Sequence, residues 1–211
     1  MGKVRGVIRI VSMDFQKDFT AEGGACYRPR RSVGFVKETL VPFLRKRDVK
    51  IAEIVSDYRK PRYRQSRAGR GQDLCRPGEP GYQSELPDDV RHGSAWIKCM
   101  NSPVWTRKNI GIGGKKPGLP RQDPRAFGRW LEDTVGKPED VDEVVLIGLT
   151  LDRCVLCTAQ ELYWRGYQVR ILEEAVDSHS GSLQEKKQIL YHPPLTNWAK
   201  AISWKTLSGR L

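Results

Sequence analysis

Short apolar stretches alternate along the chain with segments in which hydrophobic residues recur at helical spacing. Apolar or alternating patterns predict six strands, at residues 4–15, 50–58, 94–100, 142–149, 168–176 and 199–204. Helical periodicity predicts helices at 32–47, between 123 and 136, at 151–165 and at 182–191. Strands that alternate with helices are typical of a parallel sheet covered on both faces. We therefore predict an α/β fold of three layers, with a mostly parallel, Rossmann-like sheet of six strands.

Two of these elements carry strong local signals. The strand at 142–149 is almost continuously apolar at its end, as expected for a strand that is buried on both faces. Asp123 has the character of an N-cap, because Pro124 follows it at the first helical position. The apolar face of that helix is predicted to consist of Phe127, Trp130, Leu131 and Val135.

The length of 211 residues predicts a single domain with a core that needs no disulfides. Two long segments interrupt the alternation, at 59–93 and 106–122, and both are rich in glycine, proline and basic residues. Segments of this length inside a compact domain are usually functional loops or lids.

The chain carries 37 Lys and Arg against 25 Asp and Glu, a formal net charge of +12. This charge attracts polyanions without regard to sequence, so nucleic acid is a possible but non-specific partner. No apolar run approaches the ~20 residues that a membrane span needs. Arg9 interrupts the apolar N-terminal run, which lacks a small-residue cleavage site and predicts a strand, not a signal peptide. We expect a cytoplasmic location, in which the five cysteines stay reduced.

Three reactive side chains fall near the carboxyl ends of predicted strands, where ligands bind in open parallel sheets. Asp14 ends the first strand, Lys98 lies at the end of the third, and Cys154 follows the fourth, in the first turn of a helix. The helix dipole and free N–H groups at that position are expected to favour the thiolate. An acid, a base and a nucleophile would then converge on one rim.

The sequence around these residues resembles the isochorismatase-like cysteine hydrolase family, which includes nicotinamidases and N-carbamoyl amidohydrolases. The resemblance rests on three motifs: Asp14-Phe-Gln-Lys-Asp-Phe19, Trp96-Ile-Lys98, and Gly148-Leu-Thr-Leu-Asp-Arg-Cys154-Val-Leu-Cys-Thr-Ala159. They are similar to the family's D-x-Q-x-D-F, its lysine after the second strand and loop, and its G-x-x-x-D-x-C-V-x-x-T-A. The resemblance extends from about residue 4 to residue 176.

The resemblance implies a role for each residue. Cys154 would attack an amide carbonyl, Asp14 would take the thiol proton and pass it to the leaving amine, and Lys98 would keep Asp14 ionised. Backbone N–H groups of Cys154 and Thr150 would hold the oxyanion, and a non-proline cis peptide would join Leu149 to Thr150. Water would then hydrolyse a thioester intermediate. The expected enzyme is thus a cysteine-dependent amidohydrolase.

The sequence departs from the nicotinamidase pattern at the metal site, which typically combines an Asp with several His after the second strand. Asp57 is kept, but Arg59 stands where a His is expected. The three histidines are His92, His179 and His192, none of them close to Asp57 in sequence. We therefore expect no catalytic metal and no cofactor, which favours family members that act on ureido, carbamoyl or other small amides.

The basic loops suggest a carboxylate-bearing substrate, because charge-assisted hydrogen bonds would hold its carboxylate. The expected substrate-binding residues are Phe19, Tyr58, Arg59 and Trp105. The other basic residues of the two loops are Lys60, Arg62, Arg64, Arg67, Arg70, Arg107, Lys108, Lys115, Lys116 and Arg121. The expected partner is a small-molecule amide, and the resemblance implies a homo-oligomer, either a dimer or a tetramer.

Two other functions stay open. The chain could be a catalytically retired scaffold that binds nucleic acid or another polyanion. Cys154 and Cys157 also form a C-x-x-C, a spacing that occurs in thiol redox proteins. The glycine-rich run at 111–114 is better explained as a flexible lid than as a phosphate loop, because it lacks the spacing of that motif.

Overall fold

The computed structural model describes residues 6–60 and 73–211. Its strands within these ranges are β1 (Ile8–Met13), β2 (Ile51–Ser56), β3 (Trp96–Lys98), β4 (Trp105–Thr106), β5 (Arg121–Gln122), β6 (Glu143–Leu149), β7 (Val169–Asp177) and β8 (Lys200–Ile202). Six of them form one sheet in the order β3-β2-β1-β6-β7-β8, and each neighbouring pair is parallel. The short strands β4 and β5 form a separate antiparallel pair.

The α-helices of the described ranges are α1 (Lys17–Thr20), α2 (Arg31–Phe35), α3 (Val41–Lys46), α4 (Pro124–Thr134), α5 (Leu156–Trp164), α6 (Leu183–Tyr191) and α7 (Trp204–Ser208). A π-helical segment, Val36–Leu40, joins α2 to α3, and a second one, Leu151–Val155, leads into α5. Short 3₁₀ turns lie at Pro80–Tyr82, Asp88–Val90, Pro138–Asp140 and Leu195–Asn197. In the part of the chain that is described, no helix is long and apolar enough to cross a membrane.

The core lies on both faces of the sheet, because successive side chains of each strand point to opposite sides. Val11 and Met13 of β1 belong to a cluster with side chains of α4 and α5. Ile8 and Ile10 of the same strand belong to a cluster with side chains of α3 and α7. The predicted three-layer α/β class is therefore confirmed, and the main sheet is entirely parallel.

The strongest local predictions are also confirmed. Asp123 caps α4 by accepting a hydrogen bond from the backbone N–H of Ala126 at 3.1 Å. Every residue of β6 is buried. Five of the six strands of the main sheet are shorter than predicted, since apolar residues continue beyond the strand ends, as Phe15 does after β1. β7 has the predicted length of nine residues but is shifted by one residue.

Gly148 allows β6 to pass very close to β1 just before the carboxyl edge. A Cβ atom at this position would stand 2.1 Å from the carbonyl oxygen of Met13. Its φ of +105° is also one that side-chain-bearing residues rarely adopt. The glycine of the third motif is thus required by backbone packing, and it brings the ends of the two central strands together.

Candidate active site

The carboxyl ends of the first three strands deliver polar side chains to one edge of the sheet. Asp14 directly follows β1, Ser56 is the last residue of β2, and Lys98 is the last residue of β3. Ser56 and Lys98 are register partners across the two strands. Asp14 adopts a positive φ of 50°, a conformation that Asp tolerates better than most residues. All three side chains are fully buried.

Asp14 and Lys98 form a buried ion pair that shares a hydroxyl. Lys98 Nζ lies 2.7 Å from Asp14 Oδ2 and 2.7 Å from Ser56 Oγ, and Ser56 Oγ donates to Asp14 Oδ1 at 2.7 Å. Burial by itself lowers the pKa of Lys98, but the Asp14 carboxylate and its other neighbours outweigh that effect, and the net pKa is raised. The lysine therefore stays cationic beside the carboxylate.

The thiol of Cys154 completes this cluster. Cys154 is the fourth residue of the π-helical segment Leu151–Val155. Its Sγ lies 3.4 Å from Lys98 Nζ and donates to Asn101 Oδ1 at 3.7 Å. The fold thus brings together the three residues that the sequence motifs single out, although they are far apart along the chain.

The protonation state of the resting thiol differs from the expectation. Burial, and then the negative charge of Asp14, raise the pKa of Cys154 to about 12, against the opposing effect of Lys98. The expected thiolate is not the resting form, because burial of the sulfur and the charge of Asp14 favour the protonated thiol. The resting sulfur therefore carries its proton.

Two backbone features mark the turn before Cys154, where the sequence resemblance implies an oxyanion site. The peptide bond between Leu149 and Thr150 is cis. Thr150 is the N-cap of the π-helical segment, so the N–H of Cys154 lies in the first turn, where backbone donors lack partners from an earlier turn.

Two of the expected substrate-binding residues share a small apolar cluster near the thiol. Phe19 is buried with Leu149 and Cys75, and the ring of Tyr58 packs against the same cluster. The Tyr58 hydroxyl lies 3.3 Å from Cys154 Sγ. Trp105 instead packs against the larger core cluster, together with Trp96.

A second buried ion cluster follows β2, centred on Asp57. Its Oδ1 accepts from Arg59 Nε at 2.9 Å and from Arg107 at 2.8 Å, and its Oδ2 accepts from Arg59 at 2.6 Å and from the Gly111 N–H at 3.0 Å. Burial by itself raises the pKa of Asp57, but the hydrogen bonds from Arg59 and Gly111 and the charge of Arg107 outweigh it and lower the pKa. The carboxylate is therefore held ionised between two guanidinium groups.

This cluster corrects two expectations about the loops. The remaining N–H groups of Arg59 donate to the carbonyl oxygens of Asn109, Ile112 and Lys115, so the guanidinium has no donor left for a substrate carboxylate. The same bonds anchor the run at 111–114, which is therefore not a free lid. Arg107 is buried as well, and Arg62, Arg64, Arg67 and Arg70 lie outside the described residues.

The sequence motifs did not identify two side chains that belong to the site. Ser56 holds the Asp14–Lys98 pair, and Asn101 faces the sulfur. Gln16 was part of the first motif without a role, and its side-chain amide binds both the N–H and the carbonyl oxygen of Ser56. The position of Ser56 at the end of a predicted strand was a usable signal, whereas Asn101 has none in its local sequence.

Comparison with known proteins agrees with this geometry. A family model described as the isochorismatase domain matches residues 120–190, which include β6, Cys154 and α5. No curated protein sequence matches the chain. The match includes the third motif, and the predicted likeness to the family is confirmed over this part of the chain.

Solved structures share the fold over nearly the whole chain. A nicotinamidase/pyrazinamidase from Bacillus subtilis is 19% identical with a TM-score of 0.61, covering 92% of this chain and 98% of that one. A pyrazinamidase of Pyrococcus horikoshii in complex with zinc is 16% identical with a TM-score of 0.64, covering 93% and 99%. An N-carbamoylsarcosine amidase from Thermoplasma acidophilum is 18% identical with a TM-score of 0.54, covering 93% and 96%. At these identities the likeness establishes the common fold.

Proposed function

We propose that this chain, which has the isochorismatase-like fold and matches that family's domain model, is a cysteine-dependent amidohydrolase. Its substrates would be small non-peptide amides, ureido or carbamoyl compounds, cleaved at a C–N bond. The observation that carries the proposal is the buried Asp14–Lys98 ion pair in contact with the thiol of Cys154. The names of the similar structures, which include an amidase and nicotinamidases, support the same class of reaction.

The first half of the reaction forms an acyl-enzyme. Asp14 takes the proton of Cys154, and the sulfur attacks the carbonyl carbon while the C=O electron pair moves to oxygen. The N–H groups of Cys154 and Thr150 bind the resulting oxyanion, a contribution of about 3 kcal/mol to lowering the barrier. Protonated Asp14 then gives its proton to the nitrogen, the C–N bond breaks, and ammonia or an amine leaves the thioester.

The second half returns the enzyme to its resting state. Asp14, again a carboxylate, takes a proton from water as the water oxygen attacks the thioester carbonyl. The C–S bond breaks, the carboxylic acid is released, and the sulfur regains its proton from Asp14. Lys98 holds the carboxylate in place through both halves and keeps positive charge beside the sulfur.

The pyrazinamidase of Pyrococcus horikoshii was solved in complex with zinc. The residues around Asp57 in this chain are not suited to bind such a metal ion. Both oxygens of Asp57 already accept hydrogen bonds from guanidinium groups, and two fixed positive charges within hydrogen-bond distance oppose a cation. Among the described residues, no group of three or more His, Cys, Asp or Glu side chains could hold a metal ion. The proposed steps therefore use none.

The choice of substrate within this class depends on the walls of the site. Phe19, Leu149 and the ring of Tyr58 offer an apolar surface, which suits a small planar amide. A preference for carboxylate-bearing substrates stays a prediction, and Arg59 does not contribute to it. The expected dimer or tetramer also stays a prediction, which light scattering of the purified protein checks.

The experiment measures ammonia and amine release from a panel of small amides, ureides and carbamoyl acids. We expect turnover by the wild type and by Cys157→Ser, and none by Cys154→Ala. Cys157 is the matched control because it is a free thiol three residues away on the same helical run. Turnover by Cys154→Ala equal to that of the wild type would contradict the proposal. The proposal would also fail if the wild type cleaved no compound of the panel and its Cys154 were alkylated no faster than an ordinary buried thiol.

A further inference from the structure

We propose that the hydroxyl of Tyr58 is a further catalytic group, which donates a hydrogen bond to the sulfur of Cys154 as the thiolate forms. This inference rests on the proposed function, since it assigns a task within the same reaction. The sequence predicted only a wall of the substrate pocket at this position.

The hydroxyl occupies the space between the two charged partners of the reaction. Tyr58 Oη lies 2.7 Å from Lys98 Nζ and 3.3 Å from Cys154 Sγ. The ammonium also lies 4.9 Å from the centre of the Tyr58 ring. The contacts of the hydroxyl with Lys98 and Cys154 show that Tyr58 is more than an apolar wall of the site.

The direction of the proton follows from the donors available. An ammonium can only donate, so the Tyr58 oxygen accepts from Lys98 and its own proton must point elsewhere. The acceptors within reach are Cys154 Sγ, at 3.3 Å, and the carbonyl oxygen of Met100, at 3.4 Å. Burial raises the pKa of Tyr58 well above its ordinary value, so the phenol keeps the proton that it donates.

This donor matters most when the sulfur becomes charged. While Cys154 is a thiol, its sulfur donates to Asn101 Oδ1 at 3.7 Å and is itself a weak acceptor. Once Asp14 holds the thiol proton, the negative charge lies on sulfur, and hydrogen bonds to charged groups are about twice as strong as neutral ones. Tyr58 keeps its proton throughout, and the sulfur electron pair passes into the new C–S bond.

The position of Tyr58 is fixed before the reaction begins. Its backbone N–H donates to the carbonyl oxygen of Leu74 at 3.1 Å. Its two neighbours, Asp57 and Arg59, are both buried in the second ion cluster. A donor held in this way needs no reorganisation when charge develops on the sulfur.

The test compares wild type with Tyr58→Phe, which keeps the ring and removes the hydroxyl. The readout is the rate at which iodoacetamide alkylates Cys154 at fixed pH, followed by mass spectrometry of the peptide that contains it. We expect this alkylation rate to fall by about 10-fold, which is the lower end of the effect of losing a hydrogen bond to a charged group. We also expect kcat to fall with little change in KM. Tyr163→Phe, which removes an exposed phenol from α5, is the matched control and should change neither quantity.

Alkylation needs no substrate, so the result separates this proposal from the proposed function. An alkylation rate equal to or faster than that of wild type, in a variant that unfolds at the wild-type temperature, would overturn the role of Tyr58. If Tyr58→Phe does not fold, site-specific replacement by a difluorotyrosine, whose hydroxyl is a stronger donor, should instead raise the rate. An unchanged rate in that protein would equally overturn the role.

Discussion

Two buried carboxylates follow neighbouring strands of the same sheet, and their surroundings differ in one decisive respect. Asp14 is paired with one lysine and one serine hydroxyl, and the thiol of Cys154 lies 3.4 Å from that lysine. Asp57 is enclosed by two guanidinium groups and a backbone N–H. In the proposed mechanism the first carboxylate accepts a proton, whereas the hydrogen bonds of the second stay unchanged.

The difference shows that burial and ion pairing alone do not mark a catalytic carboxylate. Asp14 differs from Asp57 in two ways. Its neighbour Cys154 carries a proton that can be transferred, and its partner Lys98 shares its donors among Asp14, Ser56 and Tyr58. The Asp57 cluster instead ties two segments together: Arg59 binds carbonyl oxygens of the 106–122 segment, and Arg107 of that segment binds the carbonyl oxygens of Asp57 and Arg59. It also holds the chain on both sides of Tyr58.

Replacing Asp14 by Asn should have the largest effect on activity. The amide keeps the shape of the side chain but cannot take the proton of Cys154, so we expect kcat/KM to fall by about 10²- to 10⁴-fold. Rates should be normalised to the folded fraction, measured by circular dichroism, because Lys98 loses its buried partner. A folded Asp14→Asn protein with wild-type turnover would show that another group is the base.

Replacing Asp57 by Asn should have its main effect on stability. Two buried guanidinium groups would lose their shared anion, and we expect the free energy of unfolding to fall by about 3 to 5 kcal/mol. Urea denaturation measures the change. The control is Asp89→Asn, which removes an exposed ion pair with Arg45 and should leave the free energy of unfolding close to that of the wild type. Activity per folded molecule should fall far less in Asp57→Asn than in Asp14→Asn. A larger loss of activity in Asp57→Asn than in Asp14→Asn would contradict the contrast between the two clusters.

Alkaline pH should destabilise the protein by a smaller amount. Burial raises the pKa of Cys154 and of Tyr167 to about 12, so the unfolded chain loses these protons before the folded one does. Rising pH therefore favours the unfolded state between the ordinary thiol pKa of about 8.5 and about 12. Urea midpoints measured across this range should decrease, and less steeply in Tyr167→Phe, whereas midpoints that rise with pH would contradict the assignment.

Removal of metal ions should have the smallest effect. Because the oxygens of Asp57 are already engaged by Arg59, Arg107 and Gly111, we expect dialysis against a chelator to leave turnover unchanged. Turnover that is lost on chelation and restored by zinc would show that a metal acts in the reaction in spite of this arrangement.

The sequence predicts the position of the Asp14, Lys98 and Cys154 cluster because each residue follows an element whose hydrophobic pattern is clear. Parallel strands then bring their carboxyl ends together without further information. The use of Arg59 and Arg107 was not predictable in this way, since Arg107 meets Asp57 across 50 residues of sequence. The protonation of Cys154 was also missed, because burial of the sulfur is a property of the assembled fold.

The central claim is that Cys154 forms a covalent thioester during turnover. Its most direct test is mass spectrometry of enzyme quenched in acid within the first turnovers of the best substrate in the panel. We predict an added mass equal to the acyl group on the peptide that contains Cys154, absent from Cys154→Ala and reduced in Asp14→Asn. Steady release of product by the wild type with unmodified Cys154 at every time, and equal release by Cys154→Ala, would contradict the account.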